Sequence, residues 1–112
     1  MAEFNTSIKN QGAVSIINLK GYLDAHTAPI LENNFVDLID KNCYQIVVDF
    51  KDLAYISSAG LGVFMAYIEK IRDSKGDIKL SGMSDKVYNI FDLLGFPLLY
   101  EIFKSEDEAV KK

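Results

Sequence analysis

The sequence predicts an α/β fold, a sheet packed by helices, and three observations carry that expectation. Short apolar runs alternate with helical patterns in the order β-β-α-β-α-β-α-β-α. Ile46, Val47 and Val48 form an unbroken β-branched run, as in a central strand buried on both faces. Two segments place apolar residues at helical spacing: Leu31, Phe35, Leu38 and Ile39, then Leu61, Phe64, Met65, Ile68 and Ile71.

Each element follows from its residues. Ala13 to Leu19 reads as a strand ending at Lys20-Gly21, and Phe4 to Ile8 pairs with it across a turn at Asn10-Gln11-Gly12. Thr27 is the expected N-cap of the first helix, with Pro29 in its first turn and its end near Lys41-Asn42. Tyr44 to Phe50 is the clearest strand, and a loop is expected after it. Ser57-Ser58-Ala59-Gly60 opens the second helix, which Ser74-Lys75-Gly76-Asp77 ends. Ile78 to Leu80 is a short strand. Ser84 caps a third helix with Val87, Ile90, Phe91 and Leu94 facing in, closed by Gly95 as a left-handed C-cap. Leu98 to Phe103 reads as a last strand and Glu106 to Lys111 as a short terminal helix.

Composition narrows the function classes. The 112 residues make one domain, residues 1–112, with no linker or repeat. With 49% hydrophobic and 25% charged residues, the chain is globular rather than disordered, collagenous or a coiled coil. Twelve Lys+Arg against sixteen Asp+Glu give a net charge of -4, and no basic cluster offers a nucleic-acid surface. One cysteine, Cys43, excludes an internal disulfide and a cysteine-rich zinc site, and the single His26 leaves no histidine cluster for a metal. Cys43 is expected to pack as a small apolar residue and His26 to lie in a polar surface turn. The first residues lack the pattern of a signal peptide, and no apolar run approaches the ~20 residues of a membrane span. The expectation is a cytoplasmic protein.

Chemistry concentrates between Val47 and Val63. Ligands of α/β sheets gather at the carboxyl ends of strands, where Ser57-Ser58-Ala59-Gly60 falls. A serine there lies beside unpaired N–H groups and the positive end of the helix dipole, so it suits a phosphate; it also suits a plain N-cap, and the local pattern leaves both readings open for Ser58. Gly60 and Gly62 cost a helix roughly 1 kcal/mol each against alanine. Their presence points to the close approach of another chain, or to tight packing on the sheet. Several alternatives fail on residue type. Met65 stands where a dinucleotide fingerprint needs glycine, no Gly-Lys-Ser/Thr exists, and Ile56 stands where a hydrolase elbow needs glycine. Asp49 ends a strand as a receiver-domain phosphoacceptor would, but the acidic pair after the first strand is missing. Asp24-Ala25-His26-Thr27 is a polar strand-to-helix turn that Asp24 can fix. Phe96-Pro97-Leu98-Leu99-Tyr100 reads as a strand entering the core or as a partly exposed cluster.

Three segments together resemble a known family. Gly21-Tyr22-Leu23-Asp24-Ala25-His26-Thr27-Ala28, Val47-Val48-Asp49-Phe50, and Tyr55-Ile56-Ser57-Ser58-Ala59-Gly60-Leu61-Gly62-Val63 resemble the STAS domain of bacterial anti-sigma factor antagonists. Phe91-Asp92-Leu93-Leu94-Gly95-Phe96 resembles the family's segment after the third helix. The resemblance covers nearly the whole chain, and the serine segment is its most specific part. It implies a mixed four- to five-stranded sheet with about four helices mainly on one face.

It also implies partner switching without catalysis, cofactor or metal. The unphosphorylated protein would bind an anti-sigma factor that is also its serine kinase, and so release a sigma factor. Phosphorylation of one serine would break the complex, and a metal-dependent serine phosphatase would restore it. The matched serine is Ser58. Ser57 stands where the family often has aspartate, which leaves Ser57 as an alternative acceptor. The implied partner surface is Asp24, Ser57, Ser58, Ala59, Gly60, Leu61 and Gly62, on a protein monomeric when free. The same scaffold serves as a non-phosphorylated subunit of transport and sensory complexes, which is the alternative reading.

Overall fold

The central strand shows how the sheet is built. In a computed structural model, which describes residues 4–93 and 102–111, β3 runs from Gln45 to Ile56. Ile46 and Val48 face one side of the sheet and Val47 the other, so the β-branched run is buried on both faces as expected. The strand is longer than the sequence pattern indicated. Register with β2 (Val14–Leu23) shifts between Asn18 and Lys20, opposite Asp49 and Asp52, and again between Gly21 and Tyr22, opposite Leu53 and Tyr55. Each shift inserts one extra residue into β3. The buried positions therefore change from every second residue to every third: Phe50, Leu53, Ile56. That broken alternation is why a loop was expected after Phe50. Gly21, at φ 100°, sits at the second irregularity, so it bends β2 rather than ending it.

β1 (Phe4–Gln11) pairs antiparallel with β2, while β2, β3, β4 (Asp77–Ser81) and β5 (Ile102–Phe103) run parallel, in the order β1-β2-β3-β4-β5. The parallel neighbours are joined by α1 (Ala28–Asp40), α2 (Ser58–Asp73) and α3 (Asp85–Leu93), and the described chain ends in α4 (Glu106–Lys111). This is the expected mixed α/β sheet, with five strands.

Helices α1, α2 and α3 cover one face. Leu31, Phe35 and Leu38 of α1, Leu61, Phe64, Ile68 and Ile71 of α2, and Val87 and Phe91 of α3 bury against the sheet. Phe64 is the hub. Its ring lies 5.8 Å from Phe35, 5.7 Å from Phe50 and 6.3 Å from Phe91, so it locks α2 to α1, α3 and the central strand. Met65, expected in the same stripe, is 46% exposed. Helix α4 covers part of the opposite face, where Ala109 packs with Ile16 and Val47.

Of two expected caps, one forms and one does not. Ser84 caps α3 as expected, its Oγ accepting from the Val87 N–H at 3.2 Å. Thr27 occupies the N-cap position of α1, but its side chain makes no cap bond. Its hydroxyl faces backwards, accepting from the Asp24 N–H at 2.9 Å and donating to the Tyr22 carbonyl at 2.8 Å. Cys43 packs half-buried against the main core, and His26 is exposed. The expected inward Leu94, the Gly95 cap, Phe96 to Tyr100 and most of the last strand lie outside the described residues. Among the described residues, no helix is long and apolar enough to cross a membrane.

Candidate functional site

The site forms where β2 and β3 end side by side. Leu23 and Ile56 are register partners and both are buried. The next residues, Asp24 and Ser57, therefore emerge together at the carboxyl edge of the sheet. The Ser57 N–H donates to the Leu23 carbonyl at 2.9 Å and ties the two exits.

Ser57 is the N-cap of α2. Its backbone is extended, and its Oγ accepts from the Gly60 N–H at 3.5 Å, a long cap. The Leu61 N–H donates to the Ser57 carbonyl at 3.1 Å and opens the helix. Ser58 is therefore the first helical residue, so the plain N-cap role belongs to Ser57 and not to Ser58. It is exposed, and among the described residues its hydroxyl takes part in no hydrogen bond. The first turn carries no acidic residue. An anion placed on Ser58 would thus meet the positive end of the α2 dipole with no carboxylate of that turn opposing it.

Asp24 organises the neighbouring turn. Its carboxylate Oδ1 accepts from the His26 N–H at 2.9 Å and the Thr27 N–H at 3.2 Å. This holds the turn that enters α1, as its loop position suggested. Asp24→Ala should lower stability by about 1 kcal/mol, or roughly 4 °C in melting temperature, through loss of both acceptors. Asp24→Asn keeps one oxygen acceptor and should melt within about 0.5 kcal/mol of the parent. Thermal unfolding followed by circular dichroism checks both, and equal melting of all three proteins would mean that the carboxylate does not hold the turn.

The rest of the expected surface divides. Ala59 and Gly62 are exposed beside Ser58. Gly60 and Leu61, expected on the same surface, are buried beneath it. A Cβ on Gly60 would lie 2.7 Å from Leu23 Cγ and 3.1 Å from Ile56 Cγ1, so that glycine serves tight packing of α2 on the strands. Around Gly62 there is open space.

Two features were missed by sequence reasoning. Tyr22 and Tyr55, register partners one residue before the strand ends, are both exposed with ring centroids 6.0 Å apart. Correct strand lengths would have paired them. Met65 lies seven residues after Ser58, on the same side of the helix as Gly62. Ser58, Ala59, Gly62, Met65 and Ala66 thus make an exposed strip without charge, and charged residues begin only at Glu69.

A mixed five-stranded sheet with this serine-led helix at its carboxyl edge defines a class. The chain belongs to the STAS domain family, whose profile matches residues 5–109. Among curated relatives it is similar to the anti-sigma-B factor antagonist of Bacillus subtilis, 26% identical over 107 residues, covering 96% of this chain and 97% of the relative. In fold it is similar to an anti-sigma factor antagonist from Mycobacterium paratuberculosis, with a TM-score of 0.89, 21% identity and coverage of 97% and 92% of the two chains. It is also similar in fold to the anti-sigma factor antagonist SpoIIAA in its unphosphorylated form, with a TM-score of 0.83, 20% identity and coverage of 96% and 94%.

Proposed function

We propose that the protein is an anti-sigma factor antagonist that works by partner switching. Unphosphorylated, it binds an anti-sigma factor that is also a serine kinase, and so frees a sigma factor. Phosphorylation of Ser58 ends the complex, and a serine phosphatase resets it. The protein acts in the cytoplasm, monomeric when free, as a regulator rather than an enzyme. The single observation that carries this reading is the position of Ser58. It stands exposed at the first position of α2 while Ser57 supplies the cap. The curated relatives named as anti-sigma factor antagonists supply the partner class.

The partner surface in this reading is Asp24, Ser57, Ser58, Ala59 and Gly62, with Met65 extending it along α2. Gly60 and Leu61 support it from beneath. Phosphate on Ser58 is favourable by about 0.3–1 kcal/mol at a helix start, so the fold should survive modification. Incubation with the cognate kinase and ATP, followed by fragment mass spectrometry and thermal melting, tests the reading. The expected result is one phosphate on Ser58 and a melting temperature within a few degrees of the parent. Phosphate on Ser57 alone would move the switch by one residue. No phosphate at all would favour a constitutive STAS scaffold subunit.

A further inference from the structure

Away from the Ser58 edge, the face of the sheet that carries α4 holds an open cavity of about 550 Å³. Lys9 of β1, Asp49 and Lys51 of β3, Gly82 and Met83 after β4, and Lys104 and Ser105 after β5 line it. Among the described residues, two strand lysines and Lys104 just after β5 meet one carboxylate here, in a chain whose net charge is -4. The carboxylate is Asp49, only 7% exposed. It accepts from Asn18 Nδ2 at 3.1 Å, the Lys51 N–H at 3.2 Å and Ser81 Oγ at 3.4 Å. Its charge is thus absorbed by the protein's own donors. A side chain at Gly82 would collide with Asp49 Oδ1, and Gly82 sits at φ +70°, so glycine at this position lets the chain pass directly over the carboxylate. Lys51 and Lys104 are exposed and carry no ion pair among the described residues.

We propose that this cavity binds a small phosphate ester, with its phosphate held by the Lys51 and Lys104 ammonium groups and the Ser105 hydroxyl. The chemistry favours phosphate. Ammonium groups bind it as point charges, and no arginine fork lines the cavity to select a planar carboxylate. The volume falls within the range of small-molecule sites, so there is room for the esterified group, and Met83 offers it an apolar wall. The cavity shares no residue with the Ser58 surface, so this inference stands independently of partner switching.

Titration of the isotopically labelled protein with inorganic phosphate and with glycerol 3-phosphate, at constant ionic strength and followed by amide chemical shifts, tests it. The expected result is saturable shifts at residues 49–51, 82–83 and 104–105, with the ester bound at least as tightly as phosphate. Lys51→Gln with Lys104→Gln should retain the native spectrum and weaken the ester by about 100-fold, roughly tenfold per charge-assisted contact. Inorganic phosphate binding more tightly than the ester would overturn the ester assignment. Non-saturable shifts, unchanged affinity in the double variant, or shifts confined to residues 57–60 would overturn the site itself.

Discussion

Ser58→Asp is expected to weaken binding to the anti-sigma kinase by roughly 30- to 3,000-fold, while Ser58→Ala binds as the parent does and stays bound in the presence of ATP. The charge meets two different environments. In the free protein an anion at Ser58 is solvated and faces the positive end of α2, where no acidic side chain of the first turn opposes it. In the complex the same charge enters an uncharged strip, Ser58, Ala59, Gly62, Met65 and Ala66, with no cationic side chain of its own until Lys70. Burying an unpaired charge at an interface costs about 2–5 kcal/mol, and each 1.4 kcal/mol is about tenfold in affinity. A phosphate carries about -1.5 to -2 charges, so aspartate reproduces only part of its effect. Isothermal titration of the three proteins against the kinase reads this directly. Equal affinity for all three would make Ser58 a structural residue and sink the switch.

The fold was legible wherever one physical rule acted alone. The run Ile46 to Val48 announced a strand buried on both faces because nothing else places three β-branched residues in a row there. The pattern Ser84 to Phe91 announced a capped amphipathic helix because cap and stripe agree. Legibility failed where two rules competed. The irregularities in β3 spoil the two-residue period, so Leu53 to Ile56 looked like a loop although those residues pair with Gly21 to Leu23. Shortening the strands in turn hid the Tyr22–Tyr55 pair. Thr27 looked like a cap because residue type predicts that a hydroxyl can cap, not which way it points. In the candidate site, the sequence placed Ser58 at the start of α2, where it stands, and misplaced Met65. A residue that fits the apolar stripe of α2 by spacing can still stand at its edge, and only the packing of Phe64 decides the rotation.

The two glycines of α2 separate packing from partner contact. The sequence treats Gly60 and Gly62 alike, since each costs the helix about 1 kcal/mol relative to alanine. Their surroundings differ. A methyl at Gly60 would press on Leu23 and Ile56, which are 0% and 1% exposed and have no free volume to enter. Overpacking of this kind costs about 1–3 kcal/mol, which exceeds the gain in helix propensity. Gly60→Ala should therefore destabilise the protein by about 1 kcal/mol net, at a position buried beneath the exposed strip. A methyl at Gly62 meets nothing within 4 Å, so Gly62→Ala should stabilise the free protein by about 1 kcal/mol. Among the described residues, nothing requires glycine at this position. In the proposed complex, close approach of the partner backbone beside Ser58 would supply that requirement, and the added methyl should then weaken binding by about 5- to 150-fold, equivalent to an overpacking cost of about 1–3 kcal/mol. Melting curves and kinase titrations of both variants decide the matter. The expected result is opposite signs: Gly60→Ala less stable, and Gly62→Ala more stable yet the poorer binder. A Gly62→Ala protein that binds with the parent's affinity would remove Gly62 from the interface, and a Gly60→Ala protein as stable as the parent would show that the strand ends can yield to α2.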